Sequence, residues 1–135
     1  MGLFEAKEVD FASLPNNPED AFNNASADAR GFAASGGVAQ AVVNAIKKMD
    51  PDREVKVMAA QGLQECKKML MLAKAGKLNG YLLEGMACPG GCVAGAGTLQ
   101  NPVKSTAALN KYKASAPEKY SVDSKYEITL NLLHD

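Results

Sequence analysis

Apolar residues recur at helical spacing in the first half of the chain and predict a helix there. Ser35 is expected to cap its N-terminus, and Asp50-Pro51-Asp52 is expected to end it. The apolar face of this helix would consist of Val38, Ala41, Val42, Ala45, Ile46 and Met49. Polar and apolar residues then alternate from Arg53 to Met58, which predicts a short strand, and Gln61-Gly62 is expected to turn the chain.

A second helix and a second strand follow this turn. Gly76 is the expected C-terminal cap of the helix, and Tyr81-Leu82-Leu83-Glu84-Gly85-Met86 is the second strand. The apolar face of the helix would be formed by Leu63, Cys66, Leu70 and Ala73. A strand, a helix and a strand in this order form a βαβ unit with parallel strands and a right-handed crossover. The predicted fold class is therefore α/β, with βαβ units and a small parallel sheet flanked by helices.

The two ends of the chain are less regular than its middle. We expect one domain over residues 1–135, with an irregular or helical lead-in (1–30), a core that carries the motifs (31–115) and a C-terminal tail (116–135). Residues 1–10 resemble a short helix, and residues 11–30 an irregular connection with one helical turn, running over a surface that lies outside this chain. In the core, Asn101 and Pro102 are expected to begin a helix whose apolar side is Val103, Ala107, Leu109 and Tyr112. The tail fits a strand or a helix around residues 126–132, and the helix is favoured.

Composition and charge exclude several classes of protein. The 135 residues are 47% hydrophobic, which argues against disorder, and 15 basic residues balance 15 acidic ones without forming a basic stripe. Nucleic acid and anionic membrane are therefore not expected partners. No apolar run reaches the length of a membrane span, and no secretory signal is visible. With only three cysteines, an odd number, a reducing compartment and a cytoplasmic location are expected.

Two of the cysteines, Cys88 and Cys92, lie in a glycine-rich loop that begins where the second strand ends. Ligands of open parallel sheets bind outside the carboxyl ends of the strands. Gly90 and Gly91 allow positive φ and close approach of the backbone to a bulky ligand, and thiolates are ligands of soft metal centres. The Cys-x-x-x-Cys spacing alone leaves three interpretations open: a metal site, a pair of buried small side chains, and disulfide redox chemistry, which more often uses Cys-x-x-Cys.

The number of available ligands limits the metal interpretation. A structural zinc ion or a cubane cluster normally has four protein ligands. Besides the two loop cysteines, the chain offers only Cys66, which is expected to be an ordinary core residue of a helix, and His134, which is next to last and expected to be solvated. The remaining ligands would therefore come from polypeptide outside this sequence.

Three segments resemble the iron-only (FeFe) hydrogenases. The run Glu84-Gly85-Met86-Ala87-Cys88-Pro89-Gly90-Gly91-Cys92, followed by Gly95-Ala96-Gly97, resembles the last of the three signature motifs of that family. Phe32-Ala33-Ala34-Ser35-Gly36-Gly37-Val38 resembles an upstream segment of the family, and Gln61-Gly62-Leu63 fits the stretch before the motif. The resemblance covers roughly residues 31–100, and it departs from the family at Ala96, where many members have glycine. The other two cysteine motifs are absent, so the chain resembles a C-terminal piece of the catalytic domain, with Met1-Gly2 as an artificial start.

The resemblance implies a cofactor and its ligands. The family holds a four-iron–four-sulfur cubane bridged to a diiron centre, and by motif match Cys88 would ligate the cubane. Cys92 would ligate it and also bridge to the diiron centre, Met86 would pack near that centre, and Gly90 and Gly91 would allow the backbone to approach it. No catalytic residue is assigned. A proton relay through Glu84 is considered, and a structural hydrogen-bonding role for its carboxylate is favoured.

The resemblance also implies an activity and partners. The family interconverts protons and hydrogen with an electron donor such as ferredoxin, and the rest of the catalytic domain would be the first partner of this chain. Alone, the chain is expected to bind no intact cluster, to be inactive as a hydrogenase, and to self-associate through exposed apolar surface. The alternative function is that of a related non-catalytic family, which shares the cysteine loop and acts in iron–sulfur assembly or lamin recognition.

Overall fold

The computed structural model describes residues 2–15 and 24–124 as a small α/β structure. Its helices are α1 (Gly2–Ala6), α2 (Ala27–Arg30), α3 (Gly37–Met49), α4 (Leu63–Lys74) and α5 (Pro102–Ala114). Its strands are β1 (Lys56–Gln61) and β2 (Tyr81–Met86). Short 3-10 turns occur at Phe11–Ser13, Gly31–Ala33, Cys92–Ala94 and Ser121–Asp123. The helix favoured for residues 126–132, and His134, lie outside the described residues.

The two strands form a parallel sheet between two helices. They pair in register from Lys56 opposite Tyr81 to Gln61 opposite Met86, with α4 as the connection. Glu84 accepts hydrogen bonds from the start of α3, whereas a Cβ on Gly85 would meet the side chains of α4. Because neighbouring residues of a strand face opposite sides of a sheet, α3 and α4 cover opposite faces. This arrangement confirms the predicted fold class.

The buried interior of the described chain is small and partly polar. Its buried apolar side chains are Ala39, Ala41, Ala60 and Met69. An equal number of polar or charged side chains is buried with them, namely Ser26, Asp28, Arg30 and Glu84. Since each of these polar groups has hydrogen-bond partners, they connect elements of the fold instead of weakening it.

The first strand is displaced from its predicted position. It was expected at Arg53–Met58, but β1 begins at Lys56 and continues to Gln61. The N–H of Arg53 donates to the carbonyl of Asp50 at 3.2 Å, so the beginning of the expected strand belongs to the turn that follows α3. Pairing with β2 then sets the limits of β1, and the alternation of residue types alone did not indicate them.

The predicted apolar faces of α4 and α5 are only partly correct. In α4, Met69 is buried and Cys66 is half-buried, but Leu63 and Leu70 are 74% and 61% exposed. The face of α4 that contacts the sheet therefore contains Met69 and Cys66, and it excludes the two expected leucines. In α5, Val103 is 77% exposed, Ala107 and Tyr112 are also exposed, and no residue of this helix is buried.

Polar contacts hold α5 in place beside the cysteine loop. Arg30 donates through a guanidinium nitrogen to the carbonyl of Tyr112 at 2.8 Å and to the hydroxyl of Ser115 at 3.1 Å. Its guanidinium also lies 4.0 Å from the centre of the Tyr112 ring. A cation is favourable at a helix C-terminus, where carbonyl groups lack helical partners. The same helix contacts the Cys92–Ala94 turn, so Arg30 indirectly supports the region of the loop.

Candidate functional site

The cysteine loop begins at the carboxyl ends of both strands, as predicted. Gln61 and Met86 are the last residues of β1 and β2, and they are paired in the sheet. The N–H of Gly62 donates to the carbonyl of Met86 at 2.8 Å, which keeps the two strand ends together where the chain leaves the sheet. Residues 87–97 therefore start from a fixed edge, in the place where parallel sheets commonly bind ligands.

A tight turn separates the two loop cysteines. The N–H of Gly91 donates to the carbonyl of Cys88 at 3.0 Å, with Pro89 and Gly90 between them. Gly90 has φ of +86°, the left-handed conformation that the third position of a type II turn requires, and proline favours the second position. A 3-10 turn from Cys92 to Ala94 follows directly. The turn and the 3-10 turn thus fix the backbone positions of both cysteines.

The turn is attached to two other parts of the chain. The side-chain carbonyl of Gln61 accepts the N–H of Gly90 at 2.7 Å, and the carbonyl of Gly90 accepts the N–H of Ser35 at 3.2 Å. Gly91 is buried, and a Cβ on it would lie 2.6 Å from the Ser35 nitrogen and 2.7 Å from the Ala33 carbonyl oxygen. The close approach that glycine permits at this position is therefore to the backbone of residues 33–35. Contact of Gly90 and Gly91 with a ligand stays a prediction.

The three cysteines differ in exposure and location. All three are free thiols; Cys92 is exposed, whereas Cys88 and Cys66 are half-buried. The sulfur of Cys88 lies 3.3 Å from the position that a Cβ on Gly95 would take, so Gly95 leaves room for this thiol. Cys66 lies on α4, with its sulfur 3.5 Å from the carbonyl oxygen of Met86 and 3.7 Å from that of Ala60. It packs against the sheet, in agreement with a core role and apart from the loop.

The donor set fits a soft metal centre only in part. Two thiols on one glycine-rich loop are the correct ligand type for an iron–sulfur cluster, but a cubane takes four. In residues 2–15 and 24–124, no three His, Cys, Asp or Glu side chains come together as a metal site. A cluster held by Cys88 and Cys92 would therefore need ligands from beyond the described residues.

Glu84 forms the structural hydrogen bonds that the sequence interpretation favoured. One carboxylate oxygen accepts the N–H of Gly36 at 2.8 Å, and the other accepts the N–H of Ala39 at 2.7 Å. Both donors belong to the first turn of α3, where N–H groups have no partner within the helix. The carboxylate thus caps a helix that lies across the sheet from α4.

The side chain of Gln61 is the contact that sequence analysis missed. The residue was assigned to a turn, yet its amide oxygen holds the loop at Gly90. The predicted turn at Gln61-Gly62 follows the first predicted strand, at the edge of the sheet where the loop begins, and this position is the one signal that pointed to the role.

Comparison with known proteins identifies the family. The family described as "Iron only hydrogenase large subunit, C-terminal domain" matches residues 1–96. The chain belongs to this hydrogenase family. The periplasmic [Fe] hydrogenase large subunit of Nitratidesulfovibrio vulgaris is 30% identical over 116 residues, covering 66% of this chain and 28% of the relative. The NADP-reducing hydrogenase subunit HndD of Solidesulfovibrio fructosivorans is 29% identical over 161 aligned residues, covering 95% of this chain and 27% of the relative.

The chain covers only part of each relative. The chain spans little more than a quarter of the length of each relative, so the activity of a whole hydrogenase is not established for it. Both relatives are named as hydrogenase subunits, and the non-catalytic alternative is not favoured. One relative is named as periplasmic, so the cytoplasmic location stays a prediction. Among the described residues, no helix is long and apolar enough to cross a membrane.

Proposed function

We propose that this chain supplies two thiolate ligands to the iron centre of an iron-only hydrogenase. Cys88 would ligate a four-iron–four-sulfur cubane, and Cys92 would ligate it and bridge to a diiron centre. The observation that carries this proposal is a pair of free thiols flanking a hydrogen-bonded glycine turn, at the carboxyl ends of parallel strands, in a member of the hydrogenase family. When bound, the iron centre supplies the redox chemistry that interconverts protons and hydrogen.

The chain's own residues would hold the thiols in position for that centre. The hydrogen bond from Gly90 to Gln61 and the one from Ser35 to Gly90 fix the turn between the cysteines. A fixed turn reduces the conformational entropy lost when both thiols bind one centre. Met86, the half-buried last residue of β2, would present an apolar side chain beside the diiron centre. Glycines 90 and 91 would let the backbone lie close to the cluster.

The remaining ligands would come from the rest of the catalytic domain, which is the first partner we propose. Relatives of this chain are more than three times as long, so they contain polypeptide that can supply them. Within the complete protein, residues 31–115 would form the part that carries the cysteine loop, with a ferredoxin-like carrier as electron donor. The isolated chain would hold no complete cluster and would be inactive, because two thiolates leave a cubane with half of its usual ligands.

A dithiol-specific reagent tests the ligand pair in the chain as it exists. A trivalent arsenical such as phenylarsine oxide forms stable adducts with two thiols that can reach the same arsenic atom. We expect the wild-type chain to bind one arsenical, and Cys88→Ser and Cys92→Ser each to lose it. Cys66→Ser is the matched control, because its sulfur faces the sheet, and it should bind as the wild type does. A mass increase of one arsenical, read from the intact protein, gives the result.

Anaerobic reconstitution with iron and sulfide tests the missing ligands. The isolated chain should form no stoichiometric four-iron cluster, as judged by iron content and visible absorption. One four-iron cluster per isolated chain would contradict the proposal, because it would show that the ligand set is complete without further polypeptide.

A further inference from the structure

We infer that Glu84 is a positioning residue for the cysteine loop, acting through the first turn of α3. The meaning of this role depends on the proposed function of the two cysteines, but the test below does not. Glu84 lies four residues before Cys88, and its carboxylate bonds to the first turn of α3. Its effect on the loop is therefore indirect.

The first step is the attachment of β2 to α3. The N-cap of α3 is Gly36, which has φ of +83° and no side chain that could cap the helix. The Glu84 carboxylate takes over this function, with one oxygen on the N–H of Gly36 and the other on that of Ala39. A negative charge is also favourable at the N-terminus of a helix of 13 residues. Glu84 is 9% exposed, so water competes little for these bonds.

The second step is the attachment of the same segment to the loop. Ser35, directly before the capped Gly36, donates its N–H to the carbonyl of Gly90 at 3.2 Å. The backbone of residues 33–35 also fills the space beside Gly91. A closed ring of contacts results: it runs along the chain from Glu84 to Gly90, crosses to Ser35, and returns through Gly36 to Glu84. Loosening the carboxylate contact therefore releases the partner against which the turn is packed.

The chemistry of the side chain explains why a carboxylate is needed. Two N–H groups approach its two oxygens, so both positions must accept. The amide of glutamine has nearly the same shape, but only one of its positions accepts, and its NH2 group would face an N–H donor. Glu84→Gln thus removes one contact with little change of volume. The matched control is Glu54→Gln, which makes the same change at an exposed carboxylate before β1.

The test compares alkylation rates of individual cysteines by iodoacetamide at fixed pH, using peptide mass spectrometry. In Glu84→Gln, we expect Cys88 to react about tenfold faster than in the wild type, because the loop opens more often. Cys66 should react at an unchanged rate, since it packs against the opposite face of β2 and away from the Glu84 contact. Glu54→Gln should change neither rate.

A second measurement covers the possibility that the fold itself is weakened. Amide exchange at Ser35 should accelerate in Glu84→Gln, while exchange in the middle of α4 should not. If Cys88 and Cys66 accelerate together, or if Cys88 keeps its wild-type rate while Glu84→Gln stays folded, the inference is wrong. Failure of the arsenical to bind the wild-type chain would instead contradict the proposed function and would leave the result for Glu84 intact.

Discussion

Replacing Gly91 by alanine should separate the cysteine loop from residues 33–35. Gly91 has φ of +92° and ψ of −168°, a region of backbone space that only glycine occupies readily. An added methyl group would also lie 2.6 Å from the Ser35 nitrogen, 2.7 Å from the Ala33 oxygen and 2.9 Å from the Ala34 carbonyl carbon. All three neighbours are backbone atoms, so no side-chain rotation can relieve the overlap.

The expected loss of stability follows from two contributions. Forcing a residue with a side chain into this conformation costs roughly 1–3 kcal/mol. Moving the 33–35 backbone away breaks the hydrogen bond from Ser35 to Gly90, which contributes about 1 kcal/mol. We therefore expect Gly91→Ala to lower the free energy of unfolding by about 3 kcal/mol, which is a large part of the stability of a small domain.

Urea unfolding followed by far-ultraviolet circular dichroism measures this loss. Gly97→Ala is the control, because Gly97 also has a positive φ, of +88°, but a Cβ there would meet nothing within 4 Å. That variant should lose only about 1–2 kcal/mol, the cost of the left-handed conformation alone. If Gly91→Ala is no less stable than Gly97→Ala, the packing of the loop against residues 33–35 is not as described. Absence of folded signal without urea would count as a loss of the whole stability.

Three further predictions concern the rest of the chain. Arg30→Lys should lower the free energy of unfolding by about 2 kcal/mol in urea titrations, because a lysine cannot reproduce the guanidinium bonds to Tyr112 and Ser115 or the ring contact. Asn101→Ala should cost about 1 kcal/mol by the same assay, because its side chain caps the first turn of α5 at 2.9 Å. The isolated chain should self-associate in sedimentation velocity runs, and Leu70→Lys should shift it toward monomer, since this leucine is 61% exposed on α4. A purely monomeric wild type would refute the last of these.

Most signals that act within a few residues were predicted correctly, but the N-cap of α3 is Gly36 and the expected cap at Ser35 is wrong. Asn101 caps α5 through its own side chain, and Pro102 is the first helical residue, as the sequence indicated. Gly76 follows Ala75, the residue that caps the C-terminus of α4; it has φ of +74°, and its N–H donates to the carbonyl of Ala73, as a glycine that ends a helix does. The location of the cysteine loop was also predicted correctly from the order of the elements, because a βαβ unit brings both strand ends to one edge.

Contacts between residues far apart in the sequence were not predicted. The limits of β1 depend on pairing with β2, and the attachment of Gln61 to Gly90 joins residues 29 positions apart. Arg30 reaches its partners on and beside α5 across more than 80 positions, although nothing around Arg30 in the sequence indicates burial. Each of these contacts joins residues that only the folded chain brings together, so residue type and spacing could not identify the partners.

The wrong prediction for the apolar face of α4 has a different explanation. Leu63 and Leu70 form a regular apolar pattern, and the pattern was interpreted as a core face, yet both side chains lie in solvent here. A helical stripe of this kind is normally buried. Since the relatives contain several times more polypeptide, the stripe is consistent with a surface that the rest of a hydrogenase covers.

The cysteine loop is held by many contacts although the fold around it is small. A parallel sheet of two strands provides little stability, and the buried apolar side chains of the described residues are three alanines and Met69. Parallel sheets normally have both faces covered by other elements. Even so, the cysteine turn is held by bonds to Gln61 and Ser35, by the packing of Gly91, and through α3 by Glu84. None of these contacts involves a cysteine sulfur. The contacts that hold the loop therefore do not depend on the thiols, and both thiols stay available for the iron centre of the proposed function.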